Sequence, residues 1–349
     1  MHQMDSQAII DLCLSQGFAL AGIAKAHSSR HESSLQEWLA HGKQGEMEWM
    51  NRNVDLRLDP RKLLVGARSV ICVADRYGEL NEPPLQKDHG RIARYARGKD
   101  YHKVMKKRLH EVSDILRQHY PEETFRGCVD TAPLLEREFA SRAGLGAIGK
   151  HTLLIEQGIG SWLLLGAIVT TAKFSPTNSQ EQDPCGTCTR CIDACPTEAI
   201  TPWSVDARKC ISYLTIEHRT EIDSAFFPGV GTWLFGCDIC QEVCPHNQPT
   251  ERGEKVLLHE EYAPIHESLD VLDVLRWDEH ARQVHFRGSS MKRAKLGMMR
   301  RNAVIVAGNI LENETDNTLQ DALRLIAKGD EDEMVRNTAI AVLKQLVES

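Results

Sequence analysis

Two runs of cysteine constrain this chain more than any other feature of its sequence. The stretch DPCGTCTRCIDACPTEAI, residues 183–200, has the pattern C-x2-C-x2-C-x3-C-P, and GCDICQEVCP repeats the last part of that pattern. Such spacing wraps three thiolates around one iron–sulfur cluster and offers the fourth to a second cluster. Zinc, the competing interpretation, more often uses two separated C-x2-C pairs. The two runs therefore favour iron–sulfur clusters over zinc.

The second run lacks the first of the expected cysteines, and Cys210, upstream in DARKCISYL, is its natural replacement. Cross-ligation of the kind found in bacterial ferredoxins then predicts two 4Fe-4S clusters. The predicted ligands of cluster I are Cys185, Cys188, Cys191 and Cys244, and those of cluster II are Cys195, Cys210, Cys237 and Cys240. Two clusters in series form an electron relay, which either is a carrier in its own right or feeds a catalytic centre in the same chain.

The remaining cysteines and the composition place the chain in a broad class. Cys13, Cys72 and Cys128 stand in apolar surroundings and are expected to be buried. With 349 residues, 42% hydrophobic and 26% charged, the chain is expected to fold into two or three soluble domains. No apolar stretch approaches the ~20 residues that span a bilayer, and MHQMDSQAIIDL has no signal-peptide pattern. We expect a cytoplasmic protein with no membrane partner and, because no long coiled-coil seam is present, a monomer.

Apolar periodicity predicts three domains. Helices and strands without regular alternation predict an α+β catalytic domain over residues 1–172. The polar, turn-rich segment KFSPTNSQEQDP, residues 173–184, opens a cluster-binding domain over residues 173–255. The last domain, residues 256–349, has no strand signal, and its segment RRNAVIVAGNI is similar to its segment VRNTAIAVLKQL. This similarity favours stacked helical repeats over an ordinary helical bundle.

Several elements of the first domain can be predicted individually. A helix is expected over residues 101–121, and a second helix is expected to open at Pro133 and to close at Gly144. HTLLIE and SWLLLGAIVTT are predicted as two strands joined by the glycine-bearing turn QGIG. Further strands are predicted over residues 19–26, 69–75 and 125–133.

Charge is unevenly distributed along the chain. The formal net charge of −7 argues against a generally basic nucleic-acid binder. Residues 91–108 and 287–301 are nevertheless rich in lysine and arginine and almost free of acids. Local basic surfaces of this kind can dock a polyanion, although ordinary solvated helix faces are the alternative.

Four features together resemble the epoxyqueuosine reductase family. They are RYARGKDYH, the long block VDTAPLLEREFASRAGLGAIGKHTLLI, the eight clustered cysteines and YLTIEHR. Members of that family remove an epoxide oxygen in the last step of making the tRNA base queuosine. The resemblance implies an oxidoreductase with a nitroreductase-like catalytic domain, a bacterial ferredoxin-like domain and a C-terminal HEAT-like repeat domain.

The resemblance also implies cobalamin, which the spacing of residues does not reveal. The sequence has no D-x-H-x-x-G motif to supply a histidine ligand, in agreement with a family thought to bind cobalamin base-off. The clusters would pass electrons from an unidentified low-potential donor to cobalt. Asp130 matches the family's proton donor, a role that requires a raised pKa, which an apolar pocket could cause by desolvation. The alternative for an aspartate before T-A-P is a helix N-terminal cap.

Further site residues are carried over from the resemblance. Those expected near the substrate, Asp130 or the cofactor are His102, Glu136, Arg137, Lys150, His151, Glu217, His218, Arg219 and Asp238. The expected tRNA contacts, which would grip the anticodon stem-loop, are Lys292, Arg293, Lys295, Arg300 and Arg301. Two rival interpretations remain: a reductive dehalogenase of a small organohalide, and a non-enzymatic ferredoxin-type electron carrier.

Overall fold

The computed structural model of the protein describes residues 4–78, 83–178, 182–256 and 258–348. Part of the predicted boundary segment 173–184 and the first three residues of the chain therefore lie outside the described residues. The architecture mixes helices and strands, as the sequence indicates. None of the described helices has the length and apolarity needed to cross a membrane.

Most strands are short, and the longest, of eight residues, lie in the first domain. The strands are β1 (Leu20–Lys25), β2 (Ser69–Arg76), β3 (His89–Ile92), β4 (Phe125–Cys128), β5 (Ala147–Ile148), β6 (Leu154–Ile155), β7 (Leu163–Thr170), β8 (Ile200–Thr201), β9 (Ser204–Val205), β10 (Trp233–Phe235) and β11 (Ser268–Asp270).

The helices range from single turns to five turns. They are α1 (Ser6–Ser15), α2 (Glu32–Ala40), α3 (Val54–Leu58), α4 (Pro60–Leu63), α5 (Tyr101–His119), α6 (Glu136–Arg142), α7 (Arg190–Asp193), α8 (Ile211–Ile216), α9 (Phe227–Val230), α10 (Ile239–Glu242), α11 (Glu251–Lys255), α12 (Val271–Arg276), α13 (Glu279–His285), α14 (Leu296–Leu311), α15 (Asn317–Gly329) and α16 (Glu333–Glu348).

An antiparallel sheet of order β1-β2-β7-β4 forms the centre of the first domain. Strand β2 is apolar along most of its length because helices cover both of its faces. Ile71 and Val73 pack with α1 and α5 on one face, whereas Cys72 and Ala74 pack with α6 on the other. Cys13, Cys72 and Cys128 are all buried in these two cores, which confirms the prediction for the three isolated cysteines.

Two predictions about the first domain were wrong in detail. The helix expected from Pro133 begins only at Glu136, because the backbone turns at Asp130, where φ is +40°, and again over the next residues. HTLLIE forms only the two-residue strand β6, which pairs with β5 rather than with the central sheet. Its loop is held instead by polar contacts of side chains described below.

The C-terminal region contributes a strand that its sequence did not signal. Strand β11 pairs antiparallel with β3, and β3 pairs parallel with β10, in one three-stranded sheet. Each of the three predicted domains therefore supplies one strand to the same sheet. One hydrophobic core also runs from α8 and β10 through α12 and α14 to α16.

Arg301 was predicted to contact tRNA, and the structure corrects this. The residue is fully buried on α14, where its guanidinium donates to the backbone oxygens of Leu214 (2.7 Å), His218 (2.9 Å) and Thr220 (2.6 Å). The neighbouring Asn302 donates to the backbone oxygens of Thr215 and Leu234. These two side chains clamp the segment between the cluster-binding cysteines onto α14.

Replacing Arg301 with methionine should destabilise the protein, because several buried carbonyl groups would lose their donor. We expect a cost of about 3–5 kcal/mol, measured as a fall in Tm at one scan rate. The matched control is Lys295→Met on an exposed side chain, for which a change within about 0.5 kcal/mol is expected. Equal Tm values for the two variants would contradict the clamp.

Candidate active site

Asp130 lies in the loop between β4 and α6 and does not cap that helix. The N-cap position of α6 is Leu135, and no side chain caps it. Instead, the backbone N–H of Asp130 donates to Oε1 of Glu136 at 2.7 Å. Its positive φ, uncommon for a residue with a side chain, turns the carboxylate away from the helix, a geometry often found at functional sites.

The carboxylate of Asp130 is held by two neighbours at the start of α5. Its Oδ2 accepts from the Tyr101 hydroxyl at 3.1 Å and from Nε2 of His102 at 3.0 Å. The other ring nitrogen of His102, Nδ1, donates to Oδ1 of Asp100 at 2.8 Å, and Asp100 caps α5. The result is a carboxylate–imidazole–carboxylate chain with one end, Asp130, 59% exposed at its side chain.

Proton affinities in this group differ from those expected from the sequence. Burial acts to raise the pKa of Asp130, but the hydrogen bond and charge of His102, the Tyr101 hydroxyl and the charge of Arg137 hold it below its usual value. Burial alone would lower the pKa of His102, but its bonds to Asp100 and Asp130 raise it to about 9. At neutral pH the proton therefore resides on His102 rather than on Asp130.

Glu136 holds a second proton beside Asp130. Burial, followed by the charge of Asp130, raises the pKa of Glu136 to about 8, although the N–H of Asp130 and the charge of Arg137 act in the other direction. Arg137 donates through Nη1 to the backbone oxygen of Thr152 at 2.7 Å and to its hydroxyl at 3.0 Å. Glu136 and Arg137 therefore both lie near Asp130. Arg137 also connects the loop that contains Asp130 to the turn that follows β5.

Titration of His102 gives a testable dependence of stability on pH. Because its folded-state pKa of about 9 lies above the ordinary value of 6.5, protonated His102 stabilises the fold fully below the lower value. This stabilisation is lost as the pH rises through the higher value. From about pH 6 to about pH 10, the free energy of unfolding should fall further for the wild type than for His102→Gln, by an amount on the order of 2 kcal/mol, and Tm should fall with it. Parallel falls in both proteins would show that His102 is not charged.

An aromatic path leads from this group toward the cysteines of cluster II. The ring of Tyr95 packs edge-on against Tyr101, with centroids 6.0 Å apart, and against Phe235 at 6.4 Å. Phe235 ends β10, two residues before Cys237. The charges of Asp130 and Asp238 both influence Tyr95. Packed aromatic rings therefore connect Asp130 to the cluster-binding segment.

Four cysteines line a cavity of about 190 Å³ that suits cluster I. They are Cys185, Cys188, Cys191 and Cys244, the set that cross-ligation predicts. A backbone N–H, that of Lys150, donates to Sγ of Cys185 at 3.3 Å, a contact typical of cluster sulfurs. The donor set and the space both fit a 4Fe-4S cluster.

The other four cysteines also group together. Cys237 lies within electrostatic reach of Cys210 and Cys195, and Cys240 within reach of Cys237 and Cys210. The N–H of Ala199 donates to Sγ of Cys195 at 3.4 Å. Each sulfur is brought in by a different short helix or turn, so the set suits cluster II.

Lys150 and His151 lie next to the predicted ligands of cluster I, and both residues are buried. Nζ of Lys150 donates to the backbone oxygens of Gly186 (2.7 Å) and Cys188 (2.9 Å), so the lysine holds the loop between two predicted ligands. His151 lines the same cavity, and burial followed by the charge of Arg137 lowers its pKa to about 4. The catalytic domain thereby grips the cluster I loop.

Asp238 is buried, and its carboxylate accepts from the backbone N–H of Arg94 at 2.8 Å and from its guanidinium at 3.2 Å. Glu217 pairs bidentately with Arg293 at 2.8 and 2.7 Å. His218 lies 3.3 Å from Glu46, which also accepts from the backbone N–H of Arg219.

Several lysines and arginines of residues 91–108 and 287–301 are less available to a nucleic acid than the sequence indicates. Arg94, Arg97 and Arg108 are buried, and Arg108 is paired with Asp75. Arg300 is paired with Asp330 at 3.0 Å and also donates to a backbone oxygen, so its guanidinium is largely occupied within the protein. The basic residues of the two stretches that remain exposed are Lys99, Lys103, Lys106, Lys107, Arg287, Lys292, Arg293 and Lys295, and Arg219 is exposed as well.

Two residues that sequence reasoning missed lie next to the acid group. Arg57, on α3, is 8% exposed and is influenced electrostatically by Asp130 and Glu136. Trp49 lies over its guanidinium, 5.3 Å from ring centroid to Cζ, and is 40% exposed. Both belong to a short irregular segment without a recognisable motif, so only their exposure and placement in the fold identify them.

Two family models match the chain. The model described as epoxyqueuosine reductase QueG, DUF1730, matches residues 57–131. The model described as a 4Fe-4S double cluster binding domain matches residues 184–247, which contain all eight clustered cysteines. The first range contains Arg57, His102 and Asp130.

Curated relatives match most of the chain. The epoxyqueuosine reductase of Synechocystis is 40% identical over 290 residues, which are 81% of this chain and 98% of the relative. That of Escherichia coli is 35% identical and covers 98% of this chain and 89% of its own length. A solved epoxyqueuosine reductase bound to an epoxyqueuosine-modified tRNA-Tyr stem loop is 27% identical, with a TM-score of 0.86 over 97% of this chain and 89% of that one. The structure of the Streptococcus thermophilus enzyme is 26% identical, with a TM-score of 0.86 over 98% and 90%.

Proposed function

The chain is an oxidoreductase of the epoxyqueuosine reductase family, and we propose that it removes the epoxide oxygen of epoxyqueuosine in the anticodon loop of tRNA. The observation that carries the proposal is the group of protonated side chains around Asp130, which packed aromatic rings connect to a two-cluster binding region. Loss of an epoxide oxygen as water consumes two electrons and two protons. The chain offers suitable residues for both requirements.

The protons would come from the group at Asp130. His102 and Glu136 both carry protons at neutral pH, and both are hydrogen-bonded to Asp130. We propose that Asp130, the exposed member, takes up the proton of His102 and passes it to the oxygen of the opening ring. Asp100 then stabilises the correct orientation of the imidazole, a positioning role of the kind seen in acid–base catalysis. Glu136 would be the second source.

The electrons would travel through the cysteine region. Clusters I and II, when assembled, would each carry one electron at a time. The ligands of cluster I lie beside Lys150 and His151, and those of cluster II lie near the aromatic rings that lead to Asp130. The external low-potential donor is unidentified.

Cobalamin, when bound, would supply a low-potential metal centre close to the epoxide. The support from this chain is the carboxylate of Asp130, whose side chain is 59% exposed and can therefore reach a bound group. The packed rings of Tyr101, Tyr95 and Phe235 connect it to the segment before Cys237. We propose base-off binding, largely through backbone contacts.

Binding of tRNA is proposed for exposed lysines and arginines near Asp130. Lys292 and Arg293 lie in a short turn just before α14, Lys295 is the N-cap residue of α14, and the charge of Asp130 influences Arg293. Arg219 is exposed on the neighbouring segment. These side chains could neutralise phosphates around a splayed-out base, with salt-dependent affinity. The repeats that follow are proposed to be HEAT-like, and the first domain nitroreductase-like.

The test is a single assay. Anaerobically reconstituted protein, cobalamin and a strong reductant are incubated with tRNA carrying epoxyqueuosine, and the nucleoside is weighed after digestion. Loss of one oxygen only when cobalamin is present supports the proposal. An unchanged nucleoside mass, with iron and cobalamin shown to be bound, would contradict the proposed function.

A further inference from the structure

Arg57 is a buried cation without a polar partner. Its side chain forms no ion pair among the described residues, and its Nε is buried with no hydrogen-bond partner there. An arginine that is 8% exposed normally has carboxylate or carbonyl acceptors, because leaving such a donor unsatisfied is destabilising. The other buried arginines of the site region follow that rule: Arg94, Arg108 and Arg301 all donate to oxygens.

The position of Arg57 indicates what its missing partner is. The residue lies close enough to Asp130 and Glu136 for both carboxyl groups to influence its charge, but it pairs with neither. Trp49 lies over the guanidinium, with its ring centroid 5.3 Å from Cζ, and part of its own surface is exposed. A donor held in this way, beside an acid, suits an oxygen atom that gains negative charge during a reaction.

We propose that Arg57, with Trp49 over its guanidinium, binds the substrate oxygen that develops negative charge as the epoxide opens. The inference rests on the proposed function. When the carbon–oxygen bond breaks, the electron pair stays on oxygen, the guanidinium stabilises that charge, and Asp130 transfers a proton to the same atom. The oxygen leaves as water after a second proton, and the two electrons come from the reductant through the relay. Arg57 is thus a catalytic residue, and Trp49 is a positioning residue.

The experiment compares Arg57→Gln with the wild type on epoxyqueuosine-tRNA under single-turnover conditions. Removal of one such donor should lower the rate constant about 10²–10³-fold, with iron content, cobalamin content and the Kd for tRNA unchanged. The matched control is Arg61→Gln, since Arg61 lies on the adjacent α4 but is exposed and paired with Asp59. Trp49→Phe should retain the rate, and Trp49→Ala should lose about tenfold. Addition of guanidinium ion to Arg57→Ala should restore part of the rate.

Three results would overturn the inference. They are a wild-type rate in Arg57→Gln, no rescue of Arg57→Ala, and a salt-dependent loss of tRNA affinity with an unchanged rate constant, which would assign Arg57 to a phosphate. If Arg57→Gln loses iron or fails to fold, Arg57→Lys decides, because it keeps the charge and should retain more activity than the glutamine variant. Failure of the proposed function is distinguishable, since the wild type itself would then be inactive.

Discussion

Replacement of Asp130 with asparagine is expected to slow the removal of oxygen about 10²–10⁴-fold. The amide keeps the size of the side chain and an acceptor for the bonds from Tyr101 and His102, but it cannot transfer a proton. Both cluster-binding regions are formed by other segments, so the iron content and the Kd for tRNA should stay at wild-type values. The measurement is the single-turnover rate constant by mass analysis of the nucleoside.

Asp114→Asn is the matched control, because Asp114 lies on the same helix as His102 and its side chain is 67% exposed. Its rate should equal that of the wild type. A wild-type rate in Asp130→Asn would transfer the role of final donor to His102 or Glu136. His102→Gln should then be the slower of the two variants, whereas we expect it to be the faster, since Asp130 can also be protonated from water.

The second large effect is expected from cysteines that are distant in sequence. Cys244→Ser and Cys185→Ser should remove the same cluster, since both residues line one cavity. Cys195→Ser should remove the other cluster and leave the first in place. Each variant should lose about half of the bound iron and nearly all turnover, because a relay with one member missing does not carry electrons.

Iron analysis and the electron paramagnetic resonance spectrum of the reduced protein distinguish the two clusters. Cys244→Ser and Cys185→Ser should leave the same remaining signal, and Cys195→Ser a different one. Cys128→Ala is the control, since this buried cysteine belongs to the core of the first domain. If Cys244→Ser and Cys195→Ser left the same signal, the cross-ligation would be wrong.

The residues that sequence analysis identified best are those whose chemistry depends on local spacing. Short loops fix which thiolates can share a cluster, so the C-x2-C-x2-C-x3-C-P run predicts ligand sets without knowledge of the fold. Asp130 was found only through the resemblance, because one aspartate before a turn has no spacing of its own. Its low pKa was not predictable, since His102 approaches it from a helix that begins 29 residues earlier.

The failures have a common physical cause. Arg300 and Arg301 look like a basic patch in the sequence, but a charge count cannot show that backbone carbonyls and Asp330 from other elements surround them. Lys150 was expected near the substrate or cofactor, and its acceptors, carbonyls 36 and 38 residues away, could not be read from its neighbours in the sequence. Strand β11 is only three residues long, too short for an alternating pattern. Long-range polar contacts decide all these cases.

The sheet built from β3, β10 and β11 limits where the chain can be divided into fragments that fold independently. Tyr213, Leu214 and Phe235 of the cysteine region bury their side chains in a core shared with α12, α14 and α16. The cysteine region therefore has little hydrophobic core of its own, and an excised fragment would expose these side chains to water. We expect this region to fold only as part of the whole chain.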